Sequence, residues 1–225
     1  MQQSILTINA GSSSVKFALF ELAEHINEKA AISGQIDGIG TAHVRLVAKD
    51  NTGTRIVDQA LPAGADHATS FDQLLHWFSS SAKGGKIVAV GHRVVHGGEE
   101  FAASTLITDE VMKALEKCSA MAPLHNPPNI IGINACKAIM PGVPQVGVFD
   151  TAFHQTMPAK AFMYGLPYEL YKEDHIRRYG FHGTSHAYVS ERGSELAGSF
   201  KQGGWLTAHL GNGSSTCAIW NGQSV

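Results

Sequence analysis

The chain has 225 residues, of which 44% are hydrophobic, 16% are charged and 24 are glycine. This length suits one large domain or two small ones and allows a sizeable core without disulfide or metal support. The formal net charge of −2 offers no basic excess for neutralising phosphates along DNA or RNA, so nucleic-acid binding is disfavoured. Frequent glycine with few charges favours buried sheet and tight turns.

The cysteines and the N-terminal segment indicate a reducing compartment. Cys118, Cys136 and Cys217 form no CxxC pair and leave one cysteine over, as expected for reduced thiols. The first residues carry no charged segment of the kind that begins a signal peptide. No apolar run approaches the length of a membrane span. We therefore expect a cytoplasmic protein without a membrane partner.

The N-terminal third of the chain predicts β-structure. Residues 5–9 and 15–20 are β-rich runs on either side of the Gly/Ser turn 11–14, which indicates a hairpin. Two further strands are predicted at 43–47 and 55–57. The hairpin is expected to form the edge of a sheet.

The following segments alternate between helix and strand. A helix is predicted from four apolar residues on one face, namely Phe71, Leu74, Leu75 and Phe78. Ser70 and Gln73 are read as its capping box. The unbroken apolar run 87–90 is typical of a buried strand.

Two more helices and a strand complete this first region. One helix is predicted at 108–117 with Thr108 as N-cap, and another at 129–139, opened by two prolines. Residues 146–149 form a strand that ends at Asp150. Strand–helix alternation predicts an α/β domain with a mixed sheet over residues 1–150.

The remaining residues, 151–225, are predicted to begin a second domain, with a helix at 184–196. Residues 206–220 align without gaps on residues 6–20 and are identical at five of 15 positions. The alignment predicts two copies of one strand–turn–strand unit. Asn221 and Gly222 form a strong hairpin signal, but the few residues after them are expected to provide no returning strand.

Polar side chains at predicted strand ends are candidates for a ligand site. Arg93 is predicted just beyond the strand 87–90, and Asp150 has the same relation to the strand 146–149, which places both at the ligand edge of an open sheet. His182 precedes a predicted helix N-terminus, where donors favour anions. No Walker A loop and no strand-linked GxGxxG occur, so a P-loop or Rossmann nucleotide site is not expected.

Six segments together resemble the acetate kinase family, and they follow one another in the family's order. They are residues 6–20, 91–98, 124–129, 148–154, 179–186 and 209–215. That family belongs to the superfamily of actin, sugar kinases and heat-shock ATPases. The resemblance implies duplicated ribonuclease-H-like (actin-like ATPase) domains with mixed sheets. Because the family's chains are longer, it also implies that the second domain is truncated.

The resemblance further implies a reversible, in-line transfer of the ATP γ-phosphoryl group to acetate, giving acetyl phosphate and ADP, with Mg²⁺ or Mn²⁺. Arg93 would bind the acetate carboxylate. Val95, Leu124 and Phe181 would surround the methyl group, and His125 would line the same site.

The resemblance also implies the residues on the phosphoryl side. His182 would stabilise the transition state, while Asp150 and Asn9 would order the metal and its waters, with a second metal ligand beyond residue 225. The remaining phosphate contacts would come from two turns: Ser12, Ser14, Lys16, His209, Asn212 and Gly213. A homodimer is expected at full length.

Several alternatives stay open at this stage. One alternative is a propionate or butyrate kinase of the same family. The 225 residues alone are expected to be impaired or inactive, so a second alternative is a non-catalytic, truncated anion-binding domain. Ser185 lies in a segment loosely similar to a hydrolase nucleophile elbow. The pairs His92/His96 and His182/His186 have metal-ligand spacing but lack the glutamate of a zinc hydrolase.

Overall fold

The computed structural model describes residues 2–24, 26, 29–80, 85–199 and 202–225. The strands are β1 (Gln3–Ala10), β2 (Ser14–Leu22), β3 (Ile32–Asp37), β4 (Arg45–Asp50), β5 (Arg55–Ala60), β6 (Lys86–Val94), β7 (Thr105–Leu106), β8 (Gln145–Phe149), β9 (Gly204–Leu210), β10 (Ser214–Trp220) and β11 (Gln223–Ser224). The helices are α1 (His67–Ser80), α2 (Asp109–Cys118), α3 (Asn126–Ile139), α4 (Ala159–Phe162), α5 (Tyr168–Asp174) and α6 (Gly183–Leu196), with a 3-10 helix at Ala152–Thr156.

These elements form two compact units. The first contains Met1–Val94 and Thr105–Gly147, and the second contains Val95–Ser104 and Val148–Val225. The division into domains 1–150 and 151–225 stays a prediction, and the compact units differ from it at Val95–Ser104 and at residues 148–150, which belong to the second unit. In the described part of the chain, no helix combines the length and apolarity needed to cross a membrane.

The sheet of the first unit is mixed, as predicted, with the strand order β5-β4-β3-β2-β1-β6-β8-β7. β1 pairs antiparallel with β2 and parallel with β6. The predicted β1–β2 hairpin is confirmed, but its expected place at the sheet edge is wrong. β3 pairs with the outer side of β2, which moves the hairpin inward. The sequence hid β3 because Gly34 takes the inward position between Ile32 and Ile36, where an apolar side chain would complete the alternation.

The core of the first unit lies between one face of the hairpin and α1. The inward residues of β1 and β2 are Leu6, Ile8, Ala10, Val15, Phe17 and Leu19. The four apolar residues predicted on the helix face are all buried, and α1 also packs on α3. Gly132 makes this helix contact possible, because a Cβ there would lie 2.6 Å from the Phe71 ring.

The start of α1 differs from the prediction, whereas the start of α2 agrees with it. α1 begins at His67, where Asp66 accepts from the backbone N–H of Thr69 at 2.8 Å. Asp66 therefore replaces the predicted Ser70–Gln73 capping box, and Ser70 is buried inside the helix. The predicted N-cap of α2 is confirmed, since Thr108 accepts from the N–H of Val111.

Strand β6 is longer than predicted. Its parallel pairing with β1 continues to Ile8 and His92, so Arg93 lies within the strand and not beyond it. The buried His92 is paired with Gln145 at 2.7 Å. The orientation of the Gln145 amide that satisfies every group donates to His92 Nε2 and accepts from the N–H of Lys137. The polar residues His92 and Arg93 can therefore lie within β6, because each has a hydrogen-bond partner inside the unit.

The second unit contains a three-stranded sheet with the order β11-β10-β9, which packs on α6. Asn221 and Gly222 both have positive φ, 48° and 78°, as the predicted tight turn requires. The expectation that no strand returns is wrong, because Gln223 and Ser224 already pair with β10.

The two hairpins of the aligned repeat differ in register by one residue. In the first, Asn9 lies opposite Lys16 and Ala10 opposite Val15. In the second, His209 lies opposite Ser215, although Ser215 aligns with Val15. The first turn therefore contains four residues between its last pair, and the second contains three. A slip of one residue changes which side chains share a face.

A buried arginine organises another part of the second unit. Arg177 forms an ion pair with Glu99, and its guanidinium lies 3.8 Å from the centre of the Phe162 ring and 5.2 Å from that of Tyr179. His175 also contacts the Glu99 carboxylate at 3.0 Å. This cluster joins residue 99 to the segment that follows α4, which the sequence did not indicate.

Candidate active site

In the first unit, the structure brings together Asn9 and Arg93. Arg93 Nη1 donates to Asn9 Oδ1 at 3.0 Å. The contact follows from the topology, because β1 and β6 are parallel neighbours and their carboxyl ends meet at one sheet edge. A guanidinium held there presents fixed N–H donors that suit a carboxylate or phosphate. Asn9 also lies directly opposite Lys16 on β2, which adds a second cation at this end of the hairpin.

Hydrogen bonds within the turn after β1 and from residues outside it hold this turn in place. The N–H of Gly11 donates to the carbonyl of Ser14 at 2.7 Å, and Ser12 is exposed at the tip. Two residues that the sequence did not single out support this turn. His67 Nε2 lies 2.7 Å from the carbonyl oxygen of Gly11, and Asn129 donates to the carbonyl of Ala10 at 2.8 Å. Only tertiary structure could identify them, since they are distant in sequence.

Leu124 and His125 lie immediately before α3 in the first unit. Leu124 is 73% exposed, which is unusual for a large aliphatic side chain. His125 occupies the N-cap position of α3, but its side chain makes no capping hydrogen bond. Their predicted roles in an acyl site stay predictions.

In the second unit, Asp150 lies against the segment that starts α6. The Asp150 side chain is 1% exposed, and its backbone carbonyl accepts from the N–H of Gly183 at 2.9 Å. A Cβ on Gly183 would collide with that carbonyl, so only glycine fits there. His182, one residue earlier, has a left-handed backbone with φ 56°. Such a conformation is costly for a non-glycine residue and is typical of functional sites.

His182 belongs to a hydrogen-bonded group of histidines and hydroxyls. Its Nδ1 lies 2.8 Å from Ser215 Oγ, and Ser215 Oγ also lies 2.8 Å from His186 Nε2. His186 Nδ1 in turn lies 2.8 Å from Thr207 Oγ1. Burial, aided by neighbouring histidines, lowers the pKa of His186. That ring is therefore neutral at physiological pH.

The structure also brings His209 next to His182. The two rings are stacked, with centroids 4.1 Å apart and an angle of 15° between their planes. His209 Nδ1 lies 3.0 Å from Ser185 Oγ, in the first turn of α6. The turn between β9 and β10 is adjacent as well, because a Cβ on Gly213 would lie 3.6 Å from His182 Cε1. Asn212 is exposed on that turn.

Two buried histidines contact Phe181 and its aromatic neighbour Tyr179. His154 Nε2 lies 3.0 Å from the carbonyl oxygen of Phe181, and its Nδ1 lies 2.9 Å from Ser224 Oγ. His96 packs edge-on against Tyr179 and Phe181. Burial lowers the pKa of both His96 and His154, so each acts as a neutral support. The predicted wall residue Val95 is buried too.

Two alternative sites find less support in the local structure. Ser185 lies inside α6 and follows a segment without strand structure, unlike a nucleophile elbow. Within the described residues, its partner His209 has no carboxylate hydrogen bond, so a triad is not formed. The described residues also contain no group of three or more His, Cys, Asp or Glu that could hold a metal ion.

The Asp150 carboxylate fits a hard, water-bearing cation better than a metal held by protein groups alone. Asp150 supplies a buried carboxylate, the oxygen donor that Mg²⁺ prefers, and Mg²⁺ commonly keeps several waters around one or two such groups. The Asn9 amide oxygen accepts from Arg93 and so has one of its two lone pairs engaged.

Solved structures resemble this chain closely. A propionate kinase from Francisella tularensis matches with a TM-score of 0.90 and 42% identity, over 99% of this chain and 56% of that one. An acetate kinase from Porphyromonas gingivalis matches with a TM-score of 0.84 and 40% identity, over the same shares. The fold is therefore the α/β fold of actin-like ATPases, which confirms the predicted fold class.

The sequence profile described as the acetokinase family matches residues 4–225. Acetate kinase from Clostridium botulinum strain Hall is 50% identical over 227 residues, which cover 98% of this chain and 56% of that relative. The chain belongs to the acetokinase family. It spans 56% of the length of curated acetate kinases that it matches.

Proposed function

We propose that this chain carries acceptor-binding and phosphoryl-binding residues of a kinase that transfers the γ-phosphoryl group of ATP to acetate, giving acetyl phosphate and ADP. The family match over residues 4–225 carries the proposal. The geometry of each unit agrees with it, because both offer nitrogen donors suited to anionic oxygens.

On the acceptor side, the Arg93 guanidinium binds the acetate carboxylate. Asn9 holds that guanidinium from the neighbouring strand, which reduces the freedom lost on binding. Val95, Leu124 and Phe181 surround the methyl group, with His125 at the same site. A direct attack of the carboxylate oxygen on the γ-phosphorus needs such positioning and no covalent enzyme intermediate.

On the phosphoryl side, His182 donates to the oxygens on which negative charge develops. The nucleotide phosphates are bound by the two turns, through Ser12, Ser14, Lys16, His209, Asn212 and Gly213. Asp150 and Asn9 order Mg²⁺ or Mn²⁺, which when bound neutralises phosphate charge. The homodimer of the full-length protein and its cytoplasmic location stay predictions.

Propionate is the second candidate acceptor. A specific observation favours it, since the Francisella tularensis protein with a TM-score of 0.90 is named a propionate kinase. One extra methylene in an apolar pocket changes discrimination by only about 1–3 kcal/mol. Side-by-side kcat/KM values for acetate, propionate and butyrate decide between them.

The test is hydroxamate formation from ATP, acetate and hydroxylamine by the 225-residue chain and by a form extended to the length of the relatives. We expect turnover by the extended form, and weak or absent turnover by the shorter one. An extended form without turnover would contradict the proposal. Binding of acetyl phosphate without turnover in both forms would support the anion-binding alternative, and fluorophosphonate labelling of Ser185 would support a hydrolase.

A further inference from the structure

A row of four side chains in the second unit ends at His182. Thr207 Oγ1 lies 2.8 Å from His186 Nδ1, His186 Nε2 lies 2.8 Å from Ser215 Oγ, and Ser215 Oγ lies 2.8 Å from His182 Nδ1. A neutral imidazole has one N–H donor and one acceptor nitrogen, and a hydroxyl has one hydrogen to donate. Within the described residues Ser215 Oγ bonds only to these two rings, so a row that uses every hydroxyl hydrogen has all its donors pointing the same way.

The buried end of the row decides that direction. Thr207 is 6% exposed, and within the described residues its hydroxyl hydrogen-bonds to His186 alone. If Thr207 accepted from His186, its own hydrogen would be buried without an acceptor, which is costly. Thr207 therefore donates to His186 Nδ1.

The remaining protons follow from this first step. His186 Nδ1 is an acceptor, so the single hydrogen of the neutral ring is on Nε2 and points to Ser215. Ser215 accepts that bond, and among the described residues the acceptor left for its own hydrogen is His182 Nδ1. The hydrogen of a neutral His182 ring is then on Nε2. Stacking on His209 further restricts the ring plane of His182.

We propose that Thr207, His186 and Ser215 are positioning residues that hold His182 in the tautomer with its hydrogen on Nε2. The catalytic meaning rests on the proposed function, in which that N–H donates to the transferring phosphoryl group. The tautomer itself is a property of the 225-residue chain and can be measured without turnover.

The direct test is long-range ¹H–¹⁵N correlation of the histidine side chains in the ¹⁵N-labelled chain at about pH 8, well above the ordinary histidine pKa. We expect His182 and His186 each to show a protonated Nε2 and an unprotonated Nδ1. A protonated Nδ1 on His182 would overturn the proposal.

Thr207→Val tests whether Thr207 sets the tautomers of His186 and His182, because it removes the donor hydroxyl and keeps the branched shape. We expect the nitrogen shifts of both His186 and His182 to move towards the values of mixed tautomers. Thr207→Ser, which retains a hydroxyl, restores the wild-type shifts. The matched control is Thr216→Val, on the exposed face of β10, which changes neither ring. Unchanged His182 shifts in folded Thr207→Val would refute transmission.

Ser215 provides a second pair of variants should Thr207→Val fail to fold. Ser215→Ala breaks the row next to His182, whereas Ser215→Thr keeps the hydroxyl. We expect His182 to lose its tautomer preference only in Ser215→Ala. If both variants keep the wild-type His182 shifts, the row does not set the tautomer.

Kinetics of the extended form separate this inference from the proposed function. Ser215→Ala should lower kcat about 10- to 100-fold, less than outright removal of a transition-state donor would, with the KM for acetate near the wild-type value. Ser215→Thr should recover most of the loss. A raised KM with an intact kcat would contradict the positioning role. An inactive extended wild type would refute the proposed function, while the tautomer measurement would still decide the row.

Discussion

The guanidinium of Arg93 donates to the amide oxygen of Asn9 across two adjacent parallel strands, at 3.0 Å. The bond fixes a cation at the carboxyl edge of the sheet. It also explains why a lysine would not replace Arg93, since an ammonium lacks the planar fork that serves two acceptors at once.

Arg93→Ala in the extended form should lower kcat/KM for acetate by about 2–5 kcal/mol of transition-state binding, because the partner of the acetate charge is lost. The hydroxamate assay measures it. Arg55→Ala, at an exposed site on β5, is the matched control and should leave kcat/KM unchanged. Equal turnover by Arg93→Ala and the wild type would disprove the assignment.

Gly183→Ala should destabilise the second unit by about 1–3 kcal/mol, since the new methyl group collides with the carbonyl of Asp150. Urea unfolding of the 225-residue chain provides the measurement. Gly165→Ala is the control, because a Cβ there meets nothing within 4 Å. Similar midpoints for the two variants would show that the segment before α6 can yield.

Stability should fall as the pH drops from about 6.5 to 4. Burial lowers the pKa of His92 from 6.5 to about 4. The unfolded chain therefore binds this proton first, and the stabilisation present above pH 6.5 is lost as the pH falls through 4. One histidine with this pKa shift accounts for a loss of about 3 kcal/mol in the free energy of unfolding.

His92→Asn removes this titrating group, so the free energy of unfolding should fall less between pH 7 and pH 4, by a similar amount. Urea unfolding at pH 7, 5.5 and 4 measures it. His43→Asn, at an exposed position, should keep the wild-type slope. If His92→Asn keeps it too, another group causes the acid sensitivity.

Arg177→Gln should cost about 1–3 kcal/mol of stability. The change leaves the partly buried Glu99 without its cation and removes the guanidinium from the Phe162 ring. Arg192→Gln breaks an exposed pair with Glu195 and should cost less than about 1 kcal/mol. Thermal or urea unfolding of the two variants compares them, and equal losses would count against a special role for the buried pair.

The sequence predicted the elements whose signals are local. The apolar face of α1, the N-cap Thr108 and the turn at Asn221–Gly222 each depend on a few neighbouring residues, and the structure contains all three. The extension of β6 through Arg93 depends on pairing with β1, which no local pattern encodes.

In the candidate site, too, local patterns did not reveal contacts between residues that are distant in sequence. Family motifs pointed to His182 and His209, and the structure stacks them. Ser215 was included only as the last residue of a motif, and Thr207 only as part of the repeat. Their role depends on which residues face each other across a hairpin, and that is a tertiary property.

The register difference between the two hairpins has a consequence for tracing ancestry within this chain. By alignment, Ser215 is the counterpart of Val15, a core residue that faces Ala10. By pairing, Ser215 shares a face with His209 and Thr207. The second segment thus presents a polar face without insertion or deletion in the alignment, because it pairs one residue out of step. The gap-free alignment within the chain therefore mismatches the side chains that act together.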